Sequence, residues 1–411
     1  MNHPHPSPPV ASVLSRRHLL LGAAAASTLP TAWAQAKPPA WADTERAARG
    51  QTVYFNAWAG SERTNAYLQW VGAEVQKAHG VKLEHVKITD TADVVKRVRA
   101  EKTAGRKDNE GTVDLVWING ENFATMKNNS LLFGPWAESL PNFKYVDVAG
   151  KPTTRNDFSV PTEGMESPWG MAQFTLFADG KRLPKPPQSM AELLALARSQ
   201  PGRITYPRLP DFTGTTFVKQ ALIEHIGDVA LLTKPPVEAA FAQQTAALWQ
   251  FLDALHPHLW RGGKQFPQNP AAIRQMMADG ELLLALTFNP NEPANEVAAK
   301  RLSASTVAWQ FATGTIGNTH FVAIPYNARA KAGAQVVANF LLSAQAQARK
   351  ADIQHWGDPT VLDLNRLPPA ERALFPSQPL PGQVARGAPT LPEPHAGWVE
   401  PLEKEWAKRY S

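Results

Sequence analysis

Between Val53 and Ile118 the sequence changes its apolar period four times, and this constrains the fold more than any other feature. Val53-Tyr54-Phe55-Asn56-Ala57-Trp58 reads as a strand. From Thr64 to Ala78, Tyr67, Leu68, Val71 and Val75 fall on one helical face. Val81 to Val86 alternates as a strand does, and Thr89 or Asp90 can cap a helix that runs to Lys102. Val113-Asp114-Leu115-Val116-Trp117-Ile118 is a buried-strand pattern stopped by Asn119-Gly120. Strand, helix, strand, helix, strand predicts an α/β fold with parallel strands covered by helices. Beyond Pro168 a second set of elements follows. Extended segments are expected over 169–178, 203–206, 281–287, 307–311 and 320–324, with an S-x-x-E capping box at Ser189 and Glu192. A chain of 411 residues is comfortable for two such units.

The N-terminus sets the compartment. Arg16-Arg17 precedes an apolar run through Ala26, and Ala32-Trp33-Ala34 is a small-x-small cleavage pattern. The run is far shorter than the roughly 20 residues of a membrane helix, so residues 1–34 are read as a signal peptide of twin-arginine type. Residues 35–49 are expected to be a flexible leader. The sequence has no cysteine, which excludes disulfides, thiolate metal ligands and a lipidated cysteine. The expectation is a free, soluble protein retained in a periplasm. The formal charge of +6 falls to about +4 with the loss of Arg16 and Arg17, too mild and too dispersed for nucleic-acid binding.

In open α/β sheets ligands sit beyond the carboxyl ends of the strands. That rule selects Asn56 and Trp58, then Asp90, then Asn119, Glu121 and Asn122. In the second unit it selects Tyr206, Thr215 and Asn289, and Trp169 stands just before an expected crossing between units. The asparagines can bond a polar ligand or their own turns. Trp58 and Trp169 can stack on a ring or a cation, or serve as core. Gly214-Thr215-Thr216 opens a helix whose N–H groups can hold an oxygen or simply be capped. Glu62, Asp90, Glu121, Asp211 and Glu292 offer negative charge, which with the tryptophans would suit a cationic solute. Helix-start acids have the same look for reasons of the dipole alone.

The stretches V-Y-F-N-A-W-A-G-S, W-I-N-G-E-N-F (Trp117 to Phe123) and L-L-F-G-P-W (Leu131 to Trp136) resemble the solute-binding components of ABC importers, extracellular solute-binding family 1. More narrowly they resemble its YnjB-like branch. Ala59 departs from the glycine common in that branch. The resemblance implies a type II periplasmic-binding-protein-like fold: two lobes, each a mostly parallel sheet flanked by helices, with a cleft between them. It implies lobe 1 over 50–168 plus 322–411, lobe 2 over 169–317, and hinge crossings near 169–178 and 318–325. It also implies a monomer that binds a small-molecule solute, contacts the membrane only through an ABC permease with its ATPase, and needs no cofactor.

Two other classes compete. No G-x-S-x-G or H-E-x-x-H is present, which leaves only a carboxylate-based hydrolase among the exported hydrolases weighed. A metal-capture protein has little to build on. His256-Pro257-His258 reads as a surface turn, and the six tyrosines are scattered.

Overall fold

The computed structural model describes residues 40–375, 380–384 and 388–411. The expected signal peptide lies outside them. The expected flexible leader lies partly inside, and there the structure differs: Trp41–Ala48 is a helix, α1, with Ala48 fully buried against the first core. No described helix is long and apolar enough to cross a membrane.

The alternating segment folds as its periods dictate. Strand β1 is Thr52–Trp58, β2 is Lys82–Ile88 and β3 is Leu115–Ile118. Both β2 and β3 pair with β1 in parallel. Helix α2, Glu62–His79, starts where the Ser61 side chain accepts the Thr64 N–H, and ends at Gly80 with φ of 67°. Helix α3, Thr91–Thr103, is capped by Asp90, which accepts the Ala92 N–H at 2.8 Å. Helix α4, Glu121–Asn128, begins immediately after Gly120.

Two long strands complete this sheet. Thr315–Ala323 runs antiparallel to β3 and to Glu166–Gln173, and parallel to the short Thr390–Pro392. The first sheet is therefore mixed. Its two faces bury different sets. Val53, Phe55, Ala57 and Leu115 join one core, while Val116, Ile118, Phe321 and Ala323 join Val94 and Val98 on the other.

Glu166–Gln173 leads through Phe174 into Thr175–Asp179, the centre of a second, three-stranded sheet. Its neighbours are Leu284–Thr287 and Thr306–Trp309, and the latter leads back to Thr315–Ala323. Here the expectation of a mostly parallel sheet is corrected, because both pairs run antiparallel. Helices α5, Met190–Ser199, and α6, Phe212–His225, cover this sheet.

The C-terminal helix Val399–Tyr410 is a further correction. The expected division placed it with the first unit. Trp398, Leu402 and Trp406 are instead buried in the second core, where Trp406 Nε1 donates to the Tyr206 hydroxyl at 2.7 Å.

Candidate functional site

Two walls face each other beyond the strand ends. The first is built on the β3–α4 turn. Gly120 has φ of 63°, and its N–H donates to Asp157 Oδ2 at 2.7 Å. Asp157 stands in a small hairpin, Asn156–Asp157 against Val160–Pro161, whose tip carries Phe158 and Ser159 at φ of 43° and 59°. The Phe158 ring lies so close to Gly120 that a Cβ there would stand 2.8 Å from it. Hairpin and turn therefore hold one another, and together they fix where Glu121 begins α4.

The second wall is the start of α6. Asp211 caps it by accepting the Thr213 and Gly214 N–H groups at 2.9 and 3.1 Å. Phe212 projects outward, 42 % exposed, with Phe288 edge-on at 5.0 Å and Phe158 at 6.4 Å. One turn on, Thr215 is buried and donates its hydroxyl to Glu403 at 2.7 Å. Behind them the buried Lys219 ammonium meets Glu393 at 2.5 Å and lies 4.4 Å from the Phe158 ring centre. Asn318 Nδ2 donates to the other Glu393 oxygen at 3.3 Å.

Glu121 marks the space between the walls. It is exposed to water, yet enough protein surrounds it to push its carboxyl up, against the pull of Lys219 and with the help of Asp90. Its carboxylate is open to water while protein packs around its base. Glu403 is pushed up by burial, and the Glu121 charge adds to this. Groups from β3–α4, from α6 and from the C-terminal helix thus feel one another across it.

Of the residues the strand-end rule selects, the structure brings Asp90, Glu121 and Thr215 together here. Trp58, 43 % exposed at the end of β1, and the half-buried Asn119 and Asn122 lie on the same strand-end side. Four others are placed elsewhere. Asn56 is fully buried and turned toward α3, where its Oδ1 accepts from Arg97 at 3.4 Å and its Nδ2 donates to the Tyr54 carbonyl. Asn289 spends its Oδ1 on the Asn291 N–H at 3.0 Å, as a turn former does. Trp169 is 0 % exposed, enclosed by Phe55, Tyr67, Trp117 and Trp356. Tyr206 is also 0 % exposed, and no strand forms at 203–206. Its ring stacks on Phe217 at 4.3 Å and its hydroxyl meets His256 Nε2 at 2.7 Å. His256 is accordingly no surface turn: burial holds its imidazole down to about 4, and it stays neutral. Among the described residues no group of three or more His, Asp or Glu side chains is arranged to hold a metal.

Two of the acids selected for negative charge are also committed. Asp211 caps α6, and Glu292 is bonded to Arg274 and to the Thr287 hydroxyl. Sequence reasoning missed Phe158, Phe212, Lys219 and Glu403. Lys219 left a signal: it and Gln220 interrupt an apolar helical run from Phe217 to Leu222, where a charge must be buried and paired.

The two cores also touch on another side. Asn291 Nδ2 donates to the Gly357 carbonyl at 2.7 Å, and Asn295 Nδ2 to the Trp356 carbonyl at 2.6 Å. The two larger sheets joined by two strand connections give a two-lobed fold. The chain belongs to the bacterial extracellular solute-binding protein family, whose model matches residues 70–369. It is 51 % identical over 370 residues to protein YnjB of Escherichia coli strain K12, covering 90 % of this chain and 94 % of that one. Among solved structures, a putative extracellular solute-binding protein from Bordetella parapertussis superposes with a TM-score of 0.62 at 13 % identity, covering 88 % of this chain and 99 % of that one. The periplasmic binding protein AfuA from Actinobacillus pleuropneumoniae, solved with fructose-6-phosphate bound, gives 0.60 at 14 % identity, covering 88 % and 98 %. The chain is thus a solute-binding protein of that family.

Proposed function

We propose that this protein is exported to the periplasm, closes two lobes on a small polar solute, and delivers it as a monomer to an ABC permease with its ATPase. The lobes would be residues 50–168 with 322–375, and 169–317 with 396–411, the last segment reassigned by its packing in the second core. Solute shifts the population toward the closed form by as much as its affinity for closed exceeds that for open. Contacts must therefore come from both lobes: Trp58, Asn119 and Glu121 from one, Phe212 and the start of α6 from the other.

The observation that carries this reading is Glu121, wet yet crowded and sharing a field with Asp90, Lys219 and Glu403. Native mass spectrometry of protein purified from the periplasm without refolding tests it. A bound small-molecule mass that is lost on denaturation is expected. Titration of that molecule into Trp58→Ala and Glu121→Gln should show affinity reduced about tenfold or more, since buried contacts of this kind are worth roughly 1–3 kcal/mol. Full affinity in both variants would remove the groove from the binding site.

A further inference from the structure

A concavity lies at the mouth of α2. It measures about 210 Å³ and is lined by Glu62, Arg63 and Tyr67 of α2 and by Arg349, Gln354 and His355. That is smaller than the roughly 300–1,000 Å³ of pockets that enclose a whole drug-sized ligand, and it suits a small group.

Its charges are arranged unusually. Arg63 donates Nη1 to the Ile353 carbonyl at 2.5 Å, which orients its guanidinium without neutralising it. The Arg349 guanidinium carbon lies 4.7 Å from the Trp70 ring centre, so stacking fixes its plane. Arg349 Nε is buried, and among the described residues it has no hydrogen-bond partner. Leaving such a donor unpaired costs on the order of 1–3 kcal/mol. Among the described residues neither guanidinium is paired with a carboxylate. By contrast, the partly buried Arg274 is paired with Glu292 and the buried Lys350 with Asp358.

The remaining lining groups fit the same picture. Glu62, the acid of the lining, is exposed and adds its charge to the Glu296 hydrogen bond that holds the Arg301 proton more tightly. His355 sits 3.9 Å from Asp352, which also receives the Gln354 N–H, so the loop holding both side chains is fixed. Tyr67 anchors the floor by donating its hydroxyl to the Ala346 carbonyl at 3.1 Å. Two oriented guanidiniums, an amide and an imidazole converge on a small space.

We propose that this pocket is a second binding site, for a small oxyanion, held by Arg63 and Arg349. A planar guanidinium fork matches carboxylate and phosphate oxygens, which fixes the ligand class. The proposal stands on these two guanidiniums and does not rest on how the groove around Glu121 is read.

Calorimetric titration of the full chain with inorganic phosphate, and separately with succinate, tests the proposal. Saturable one-to-one binding of at least one probe is expected. Arg349→Gln and Arg63→Gln should each weaken it about tenfold or more, by loss of a charge-assisted bond. Arg349→Lys keeps the charge but not the fork and should recover little. Arg99→Gln on the exposed side of α3 removes the same charge elsewhere and should leave binding unchanged. Melting curves confirm that the variants are folded. Phosphate should prevail if the site suits a tetrahedral anion, and succinate if it suits a carboxylate. Failure of both probes to saturate, full binding by Arg349→Gln, or an equal loss in Arg99→Gln would overturn the proposal.

Discussion

Glu166 is the residue whose burial is least compensated. It opens a strand that joins the two sheets, is 1 % exposed, and neither carboxyl oxygen has a hydrogen-bond partner among the described residues. Its neighbour Asp157 is as buried, with Oδ2 spent on Gly120 and Oδ1 unpaired. Burial pushes both carboxyls well above their ordinary range, and the nearby Asp157 raises Glu166 further. A group that holds its proton more tightly folded than unfolded stabilises the fold fully below its unfolded pKa. That contribution is lost as pH rises toward the folded value. Glu166→Gln supplies a neutral side chain at every pH. The variant should therefore gain melting temperature over the native protein progressively from pH 4 to pH 8, at up to about 1.4 kcal/mol per pH unit for one titrating group. A difference that stays flat across that range would show that Glu166 ionises freely. The sequence pointed to Glu121 and Trp58 because strand ends are readable from periodicity. It misplaced Trp169 and Tyr206, because an aromatic is exposed or buried according to what packs over it. Here Trp356 and Trp406 cover them, 187 and 200 positions away.

At the scale of elements, the β1–α2–β2–α3–β3 unit follows from local chemistry. Period, caps at Ser61 and Asp90, and breakers at Gly80 and Gly120 all agree. The leader failed because α1 gains its stability from docking on the helix Lys331–Leu341, which no local pattern announces. The C-terminal helix was legible as an amphipathic helix through Leu402 and Trp406, but the core it joins is a tertiary fact. The antiparallel second sheet had the same problem, since short apolar strands carry no mark of their partners' direction. The β3–α4 turn is the element on which the proposed groove depends most. Gly120 combines φ of 63° with ψ of −131°, a region nearly closed to other residues, and has the Phe158 ring against it. Gly120→Ala should cost roughly 1–3 kcal/mol through backbone strain alone. The melting temperature should fall, and solute affinity should fall with it as Glu121 is displaced. Loss of stability with affinity intact would separate the turn from the site.

For the whole molecule, the question is what holds the two cores together without solute. The strands across Phe174 and through 310–314 join them covalently, and strand pairing continues to Gly317 and Gln173. Away from these strands Phe158 packs on Phe212 and Lys219 on one side, and on the other side the contact is polar. Asn291 and Asn295 reach the Gly357 and Trp356 carbonyls, and Gln383 Nε2 braces Asn291 Oδ1 at 2.9 Å. Interfaces built from a few hydrogen bonds open at small cost, because water replaces most of what each bond supplies. A clamp needs that property, since a closed form held by apolar burial would exclude its solute. Asn291→Ala removes the Gln383 brace and the Gly357 bond across the cores, the latter worth about 0.5–1.5 kcal/mol, and should raise the open population roughly two- to tenfold. Small-angle scattering without solute should then give a larger radius of gyration than for the native protein. Saturation with solute should restore the native value at the expense of affinity, because the ligand must supply the closing energy the asparagine supplied. An unchanged radius together with unchanged affinity would mean that this contact is not part of the closing motion, and would leave the strand connections alone to set how far the lobes move.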